Sequence, residues 1–121
     1  MLLEEDLTYG IRGAAYEVYR QLGAGFLEKV YERALLRELR LRGYRAEAQV
    51  ALKIEYKGER VGEYLADLVV EDRIILELKA QPALSPAHTS QLLNYLRASG
   101  KQVGLLLNFC YPKVTIKRVV C

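Results

Sequence analysis

Residues 66–79 read Ala-Asp-Leu-Val-Val-Glu-Asp-Arg-Ile-Ile-Leu-Glu-Leu-Lys, apolar enough for the centre of a sheet yet carrying Asp67, Glu77 and Lys79. An ionised group taken out of water is costly unless it is paired or holds a metal. The stretch therefore limits the fold to one that buries two strands and keeps a use for their charges. Two carboxylates able to share a hard cation, with a lysine two residues beyond one of them, point to Mg²⁺-dependent attack on a phosphodiester.

The rest of the chain bounds that reading. With 121 residues, 51% of them hydrophobic and 27% charged, the sequence suits one domain over 1–121 with a single core and excludes a disordered chain. The net charge of +3 is compatible with nucleic acid without demonstrating it. Cys110 and Cys121 have neither the number nor the spacing of a disulfide framework. Glu4, Glu5 and Asp6 stand where a leader needs an apolar run, and no apolar stretch approaches the roughly 20 residues of a membrane span. The expectation is a cytoplasmic, reduced protein with no membrane partner.

Periodicity orders the elements. Leu3, Leu7, Ile11, Ala14, Val18 and Leu22 form one helical stripe, ended by Gly23-Ala24-Gly25. A second helix turns Leu27, Val30, Tyr31, Ala34, Leu35 and Leu39 inward and stops at Gly43. The period then changes to two. Val50, Leu52, Ile54 and Tyr56 alternate with polar residues, which predicts a strand with one wet face. After a turn at 57–59, the strands 61–70 and 74–78 are more continuously apolar and so more central. Ser85 and Pro86 start a helix that Gly100 closes. Strands follow at 103–107 and from Val114 to Val120, the last at an edge. The order α-α-β-β-β-α-β-β is that of an α/β fold with a mixed sheet.

On a strand, Glu77 and Lys79 share a face, while Ile74, Leu76 and Leu78 take the other. Asp67 must reach the Glu77 side from the preceding strand. A two-residue turn at Glu71-Asp72 would set Asp67 opposite Leu76 and aim it away. A three-residue loop, 71–73, sets Asp67 opposite Glu77, with Asp72 best able to take the left-handed conformation such loops use; this register, or a bulge with the same effect, is the expectation. In that register Asp67 and Glu77 could share Mg²⁺ or Mn²⁺, the Leu78 carbonyl could add a ligand, and Lys79 could orient water or stabilise phosphate charge. A structural ion pair with Lys79 would use the same residues.

Two helices offer further groups. Glu28 and Tyr31 share a face of the second helix, where a first-turn acid and a core aromatic are the plainer readings. His88, Gln91 and Tyr95 share a face of the third, beside Thr89, Leu92, Leu93 and Leu96. Gln91 could hold a water or a phosphate.

Gly25-x-x-Glu28-x-x-Tyr31 resembles the signature of the GxxExxY proteins, and the likeness continues through Tyr56-Lys57-Gly58, Asp67, Glu77-Leu78-Lys79-Ala80, His88-x-x-Gln91, Tyr95-Leu96 and residues 104–109. That family looks like a compact branch of the PD-(D/E)XK nuclease superfamily. The resemblance implies a restriction-endonuclease-like α-β-β-β-α-β core with a mixed central sheet flanked by helices, plus an extra N-terminal helix and C-terminal strand. It implies that Glu28 is the helix acid near the metal, Asp67 the central metal-binding acid, Glu77 and Lys79 the Glu-x-Lys pair, and Gln91 a polar residue lining the site. Ala66 replaces the proline of the superfamily pattern, and every acidic position is filled.

The leading expectation is thus a Mg²⁺- or Mn²⁺-dependent nuclease acting on DNA or RNA. Glu28, Asp67, Glu77 and Leu78 would hold metal, Lys79 and Gln91 would join them in catalysis, and Tyr31, His88 and Tyr95 would line the substrate. Arg37, Arg40, Arg42, Arg45, Lys53, Lys57 and Lys101 could meet phosphates, or simply form solvated faces. The alternative is a non-catalytic nucleic-acid-binding or adaptor module that keeps the fold. A homodimer or a protein partner would enlarge the surface of so small a chain, and the edge strand offers one interface.

Overall fold

A computed structural model describes residues 3–121. The elements run α1 (Glu5–Leu22), α2 (Glu28–Leu41), β1 (Ala46–Tyr56), β2 (Glu59–Val70), β3 (Ile74–Lys79), α3 (Pro86–Ser99), β4 (Val103–Cys110) and β5 (Lys113–Val120). The strands form one mixed sheet in the order β1-β2-β3-β4-β5, the restriction-endonuclease-like arrangement of sheet and flanking helices. Three neighbouring pairs are antiparallel and joined by short turns. β3 and β4 are parallel, which a short turn cannot achieve, so α3 makes the crossover.

Alternation divides the sheet into two faces. Leu68, Val70, Ile74, Leu76, Leu78, Leu105, Leu107 and Phe109 pack under α1 and α2. Val69, Ile75, Leu106 and Val119 pack under α3 with Leu92, Tyr95 and Leu96. α3 lies close because β4 carries Gly104, where a Cβ would come within 2.9 Å of the Leu92 side chain.

The capping signals act as their chemistry requires. Gly100, at φ 73°, closes α3 by donating its N–H to the Leu96 carbonyl at 3.0 Å. The Ser85 amide at the other end donates to the His88 ring Nδ1 at 3.1 Å.

Three sequence expectations need correction. Leu27 and Val30 do not point inward; they are 79% and 38% exposed. α2 starts only at Glu28, so Leu27 is an extended N-cap residue, and the buried stripe is Tyr31, Glu32, Leu35 and Leu39. The helix thus buries a carboxylate. Leu3 precedes α1 and is exposed, outside the stripe. The outer half of β2 is not central either, since Val61, Tyr64 and Leu65 are exposed. β3 has only six residues and its ladder with β2 runs only from Leu68 to Val70. Beyond that the β1–β2 hairpin projects as a two-stranded arm, closed by Lys57 and Gly58, both at positive φ.

Candidate active site

The β2–β3 connection fixes the geometry. Val70 pairs with Ile74 and Leu68 with Leu76, so the loop is the three residues 71–73 and the same register carries Asp67 to Glu77. Glu71 and Asp72 both take left-handed φ, 53° and 56°, where the sequence suggested Asp72 alone. Glu71 is held there by Arg45, whose amide donates to its carboxylate and whose carbonyl accepts the Glu71 N–H at 2.7 Å.

At Asp67 the sheet opens. The ladder stops at Leu68↔Leu76 and side chains replace backbone partners. The Asp67 N–H donates to Glu77 Oε1 at 3.0 Å, and the Leu78 N–H donates to Asp67 Oδ2 at 2.9 Å. The hairpin turns over at the same point. Ala48 and Leu68 pack on the α1–α2 side, whereas Val50 and Ala66 pack on the α3 side, a reversal that strict alternation forbids. Gln49, between Ala48 and Val50, takes φ 52°, a strained conformation for glutamine.

This opening gathers charge. Glu77 is 4% exposed, and burial followed by the neighbouring Asp67 charge pushes its carboxyl from an ordinary 4.5 to about 8. Burial likewise raises the Asp67 carboxyl, with Glu32 adding to the effect, against the Leu78 amide and Lys79, which lower it. The two carboxyls lie close enough to share a hydrogen bond when one is protonated. Lys79 follows on the Glu77 side of β3 and forms no ion pair among the described residues.

The remaining candidate residues separate into two groups. Gln91 belongs with the acids through Tyr95: its Nε2 donates to the Tyr95 hydroxyl at 3.0 Å, and burial, Glu77 and Asp67 in that order raise the Tyr95 phenol. Leu78 enters through its N–H, which donates to Asp67 Oδ2. Tyr31 is wholly buried, stacked on Phe109 at 4.6 Å, and its hydroxyl donates to the Gly23 carbonyl at 2.6 Å. It pins the α1–α2 loop. His88 accepts from the Ser85 amide and meets the Gln81 amide at 3.3 Å. With Nδ1 an acceptor, a neutral ring carries its proton on Nε2, so the Gln81 oxygen belongs on that side. Glu28 is exposed at the start of α2, and no hydrogen bond or ion pair joins it to Asp67 or Glu77 among the described residues.

One turn beyond Glu28, sequence reasoning missed Glu32. It is 6% exposed and takes hydrogen bonds from Lys29 at 2.9 Å and Gln49 at 2.7 Å. Its charge raises the Asp67 carboxyl. The signal in the sequence was a glutamate three residues before Leu35 and seven before Leu39, the spacing of a buried stripe.

The donor chemistry fits a hard divalent cation. Asp67 and Glu77 each spend one oxygen on a backbone amide, leaving Oδ1 and Oε2 without an N–H donor among the described residues. Burial and the Asp67 charge raise the Glu77 carboxyl, burial and Glu32 raise that of half-buried Asp67, and a cation between the two would relieve both; Mg²⁺ accepts one or two carboxylates with water and substrate oxygens completing its shell. Among the described residues, no group of three or more His, Cys, Asp or Glu is arranged to hold a metal. The fit therefore rests on the Asp67–Glu77 pair. Among the same residues no helix is long and apolar enough to cross a membrane.

A family model described as the PD-(D/E)XK nuclease superfamily matches residues 5–119. No curated protein matches. The crystal structure of SSO0001 is similar in fold, with a TM-score of 0.61 and 19% identity over 76% of this chain and 48% of that one. An alkaline exonuclease, LHK-Exo from Laribacter hongkongensis, is similar with a TM-score of 0.56 and 13% identity over 90% of this chain and 68% of that one. The chain spans about half the length of SSO0001.

Proposed function

The chain belongs to the PD-(D/E)XK nuclease superfamily, and on that premise we propose that it is a Mg²⁺- or Mn²⁺-dependent phosphodiesterase of the GxxExxY branch, hydrolysing DNA or RNA. The observation that carries this reading is the carboxylate pair where β2 and β3 part, Glu77 buried and Asp67 half-buried, with Lys79 beside them. The family supports a nuclease-type activity, and the metal and the substrate are our reading of the pair.

In this reading Asp67 and Glu77 hold the metal. Bound there, a divalent cation supplies a Lewis acid for the phosphoryl oxygen and a more acidic water. Lys79, without an ion-pair partner among the described residues, faces the charge that grows on the phosphate and orients the attacking water. Glu32 sets the field at Asp67 from α2, and its hydrogen bond to Gln49 holds the strained turnover of β1 in place. Gln91 and Tyr95 form the α3 wall of the site.

The test is cleavage of labelled single- and double-stranded DNA and RNA in Mg²⁺ or Mn²⁺, with calorimetric metal titration of wild type and Asp67→Ala. Cleavage and metal binding that both disappear in Asp67→Ala support the reading, with an expected activity loss of roughly 10²-fold or more. Nucleic-acid binding that survives with neither metal binding nor cleavage in the wild type would replace it by the non-catalytic module.

A further inference from the structure

The arm formed by the outer halves of β1 and β2 runs beside α3 before its tip reaches solvent. Between it and α3 runs a groove of about 490 Å³ lined by Lys53, Ile54, Glu55, Tyr64, Asn94, Arg97 and Ala98. Tyr64 lies at its inner end, three residues before Asp67, with its ring 5.2 Å from that of Tyr95. Tyr64 is 45% exposed and lines the groove, so the pair leaves aromatic surface open to it. Tyr95 in turn is the residue whose phenol feels Glu77 and Asp67. The groove and the acids are thus separated by one tyrosine pair.

Its charges are unspent. Neither Lys53 nor Arg97 forms an ion pair among the described residues, and the only polar partner recorded for Arg97 is Asn94 on its own helix, at 3.2 Å. Glu55 is the single acid of the lining. A channel with free cations along it and an exposed aromatic ring at its end matches what a flexible nucleic-acid strand needs: points for successive phosphates, and a π-face for an unstacked base. A duplex keeps its bases stacked and has none to offer Tyr64. The hollow between α1 and β5, lined by Tyr16, Tyr19 and Lys113, lies over the opposite face and has no route to the acids through α3.

We infer that the groove between the β1–β2 arm and α3 is a track for single-stranded nucleic acid, with Lys53 and Arg97 taking phosphates and Tyr64 stacking the base next to the bond to be cut. The inference rests on the phosphodiesterase reading for what lies at the end of the track, and adds that the strand entering it is unpaired. Tyr64 is a binding and positioning residue here, since it touches the base and not the reacting atoms.

The experiment measures binding and cleavage separately. A fluorescein-labelled oligo-dT and a duplex of equal length are titrated by anisotropy against Glu77→Gln protein, which keeps the groove and loses a metal-holding carboxylate, so the strand survives the measurement. The expectation is tighter binding of the single strand, weakened about 5- to 150-fold by Tyr64→Ala and retained in Tyr64→Phe. Arg97→Ala and Lys53→Ala should each lower the slope of log K against log salt by about 0.7. Tyr64→Ala binding as well as its parent, or a duplex binding more tightly than the single strand, would overturn the track. Wild-type cleavage is assayed in parallel on the same strands. Tyr64-dependent single-strand binding without wild-type cleavage would leave the track standing and remove the phosphodiesterase; cleavage indifferent to Tyr64 would do the reverse.

Discussion

On the α1–α2 side of the sheet, Leu7, Ile11, Val18, Tyr31, Leu35 and Leu39 meet Leu68, Leu76, Leu105 and Phe109 in one continuous apolar cluster. On the α3 side a smaller cluster, Leu52, Val69, Ile75, Leu92, Tyr95, Leu96 and Leu106, gives way past Tyr95 to Glu77 and Tyr64. The strands are the same; the difference lies in what each face lacks. The larger face is complete without charge, and the buried acid beside it, Glu32, lies at its rim against Gln49. The smaller face is interrupted where β2 and β3 part, and there carboxylates occupy space that backbone hydrogen bonds would otherwise fill. Stability is concentrated on one face so that the other can carry groups that destabilise it.

The sharpest way to break that contrast is to damage the larger face. Phe109 is 1% exposed and stacked on Tyr31 with ring planes 10° apart. Phe109→Ala should cost about 3–5 kcal/mol, measured by urea denaturation. A cost near 1 kcal/mol would mean that this face is not where the fold is held.

The opposite sign is expected for Glu77. Its carboxyl is raised from 4.5 to about 8, so between those values the native state keeps a proton that the unfolded chain has released. In metal-free buffer stability should be greatest below about pH 4.5 on this group's account, and decline as pH rises toward 8. Glu77→Gln still accepts the Asp67 N–H and removes the titration. At pH 8 the variant should be more stable than wild type, by at most a few kcal/mol, and flatter in its pH profile. Added Mg²⁺ should narrow the difference by stabilising only the wild type. Urea melts across pH 5–8, with and without metal, check both statements; a wild type that gains stability toward pH 8 would sink them.

These contrasts were unequally legible in the sequence. The element order followed from the change of hydrophobic period, and the Asp67–Glu77 register from counting the residues of the 71–73 loop, because a strand's period of two leaves one spacing that puts both acids together. Glu32 was hidden because its burial depends on where α2 starts. With Leu27 and Val30 read as inward, the stripe was rotated away from it. The turnover at Gln49 and Asp67 was hidden because positive φ in a glutamine has no signature of its own. The exposed arm was hidden because apolar content alone does not reveal that β3 is too short to cover β2. Tyr31 and His88 show the limit of motif reading from the other direction: the motif identifies the position, while only the partners of the side chain show what it holds.

The smallest expected effects test that last distinction. Tyr31→Phe keeps the Phe109 stack and loses the bond to the Gly23 carbonyl, and should cost about 0.5–1.5 kcal/mol. His88→Ala removes the acceptor of the Ser85 amide at the start of α3 and the contact with Gln81, which is itself held by Asn108 through bonds of 3.1 and 2.8 Å. The loss should again be about 1 kcal/mol, with the first turn of α3 exchanging its amides faster. His88→Asn offers a side-chain oxygen near the same amide and should recover part of that stability. If His88 serves α3 and not the substrate, single-strand affinity should change by less than about twofold in both variants once the fraction folded is accounted for. A histidine variant that folds normally and binds tenfold more weakly would move His88 from the frame of the helix to the surface of the track.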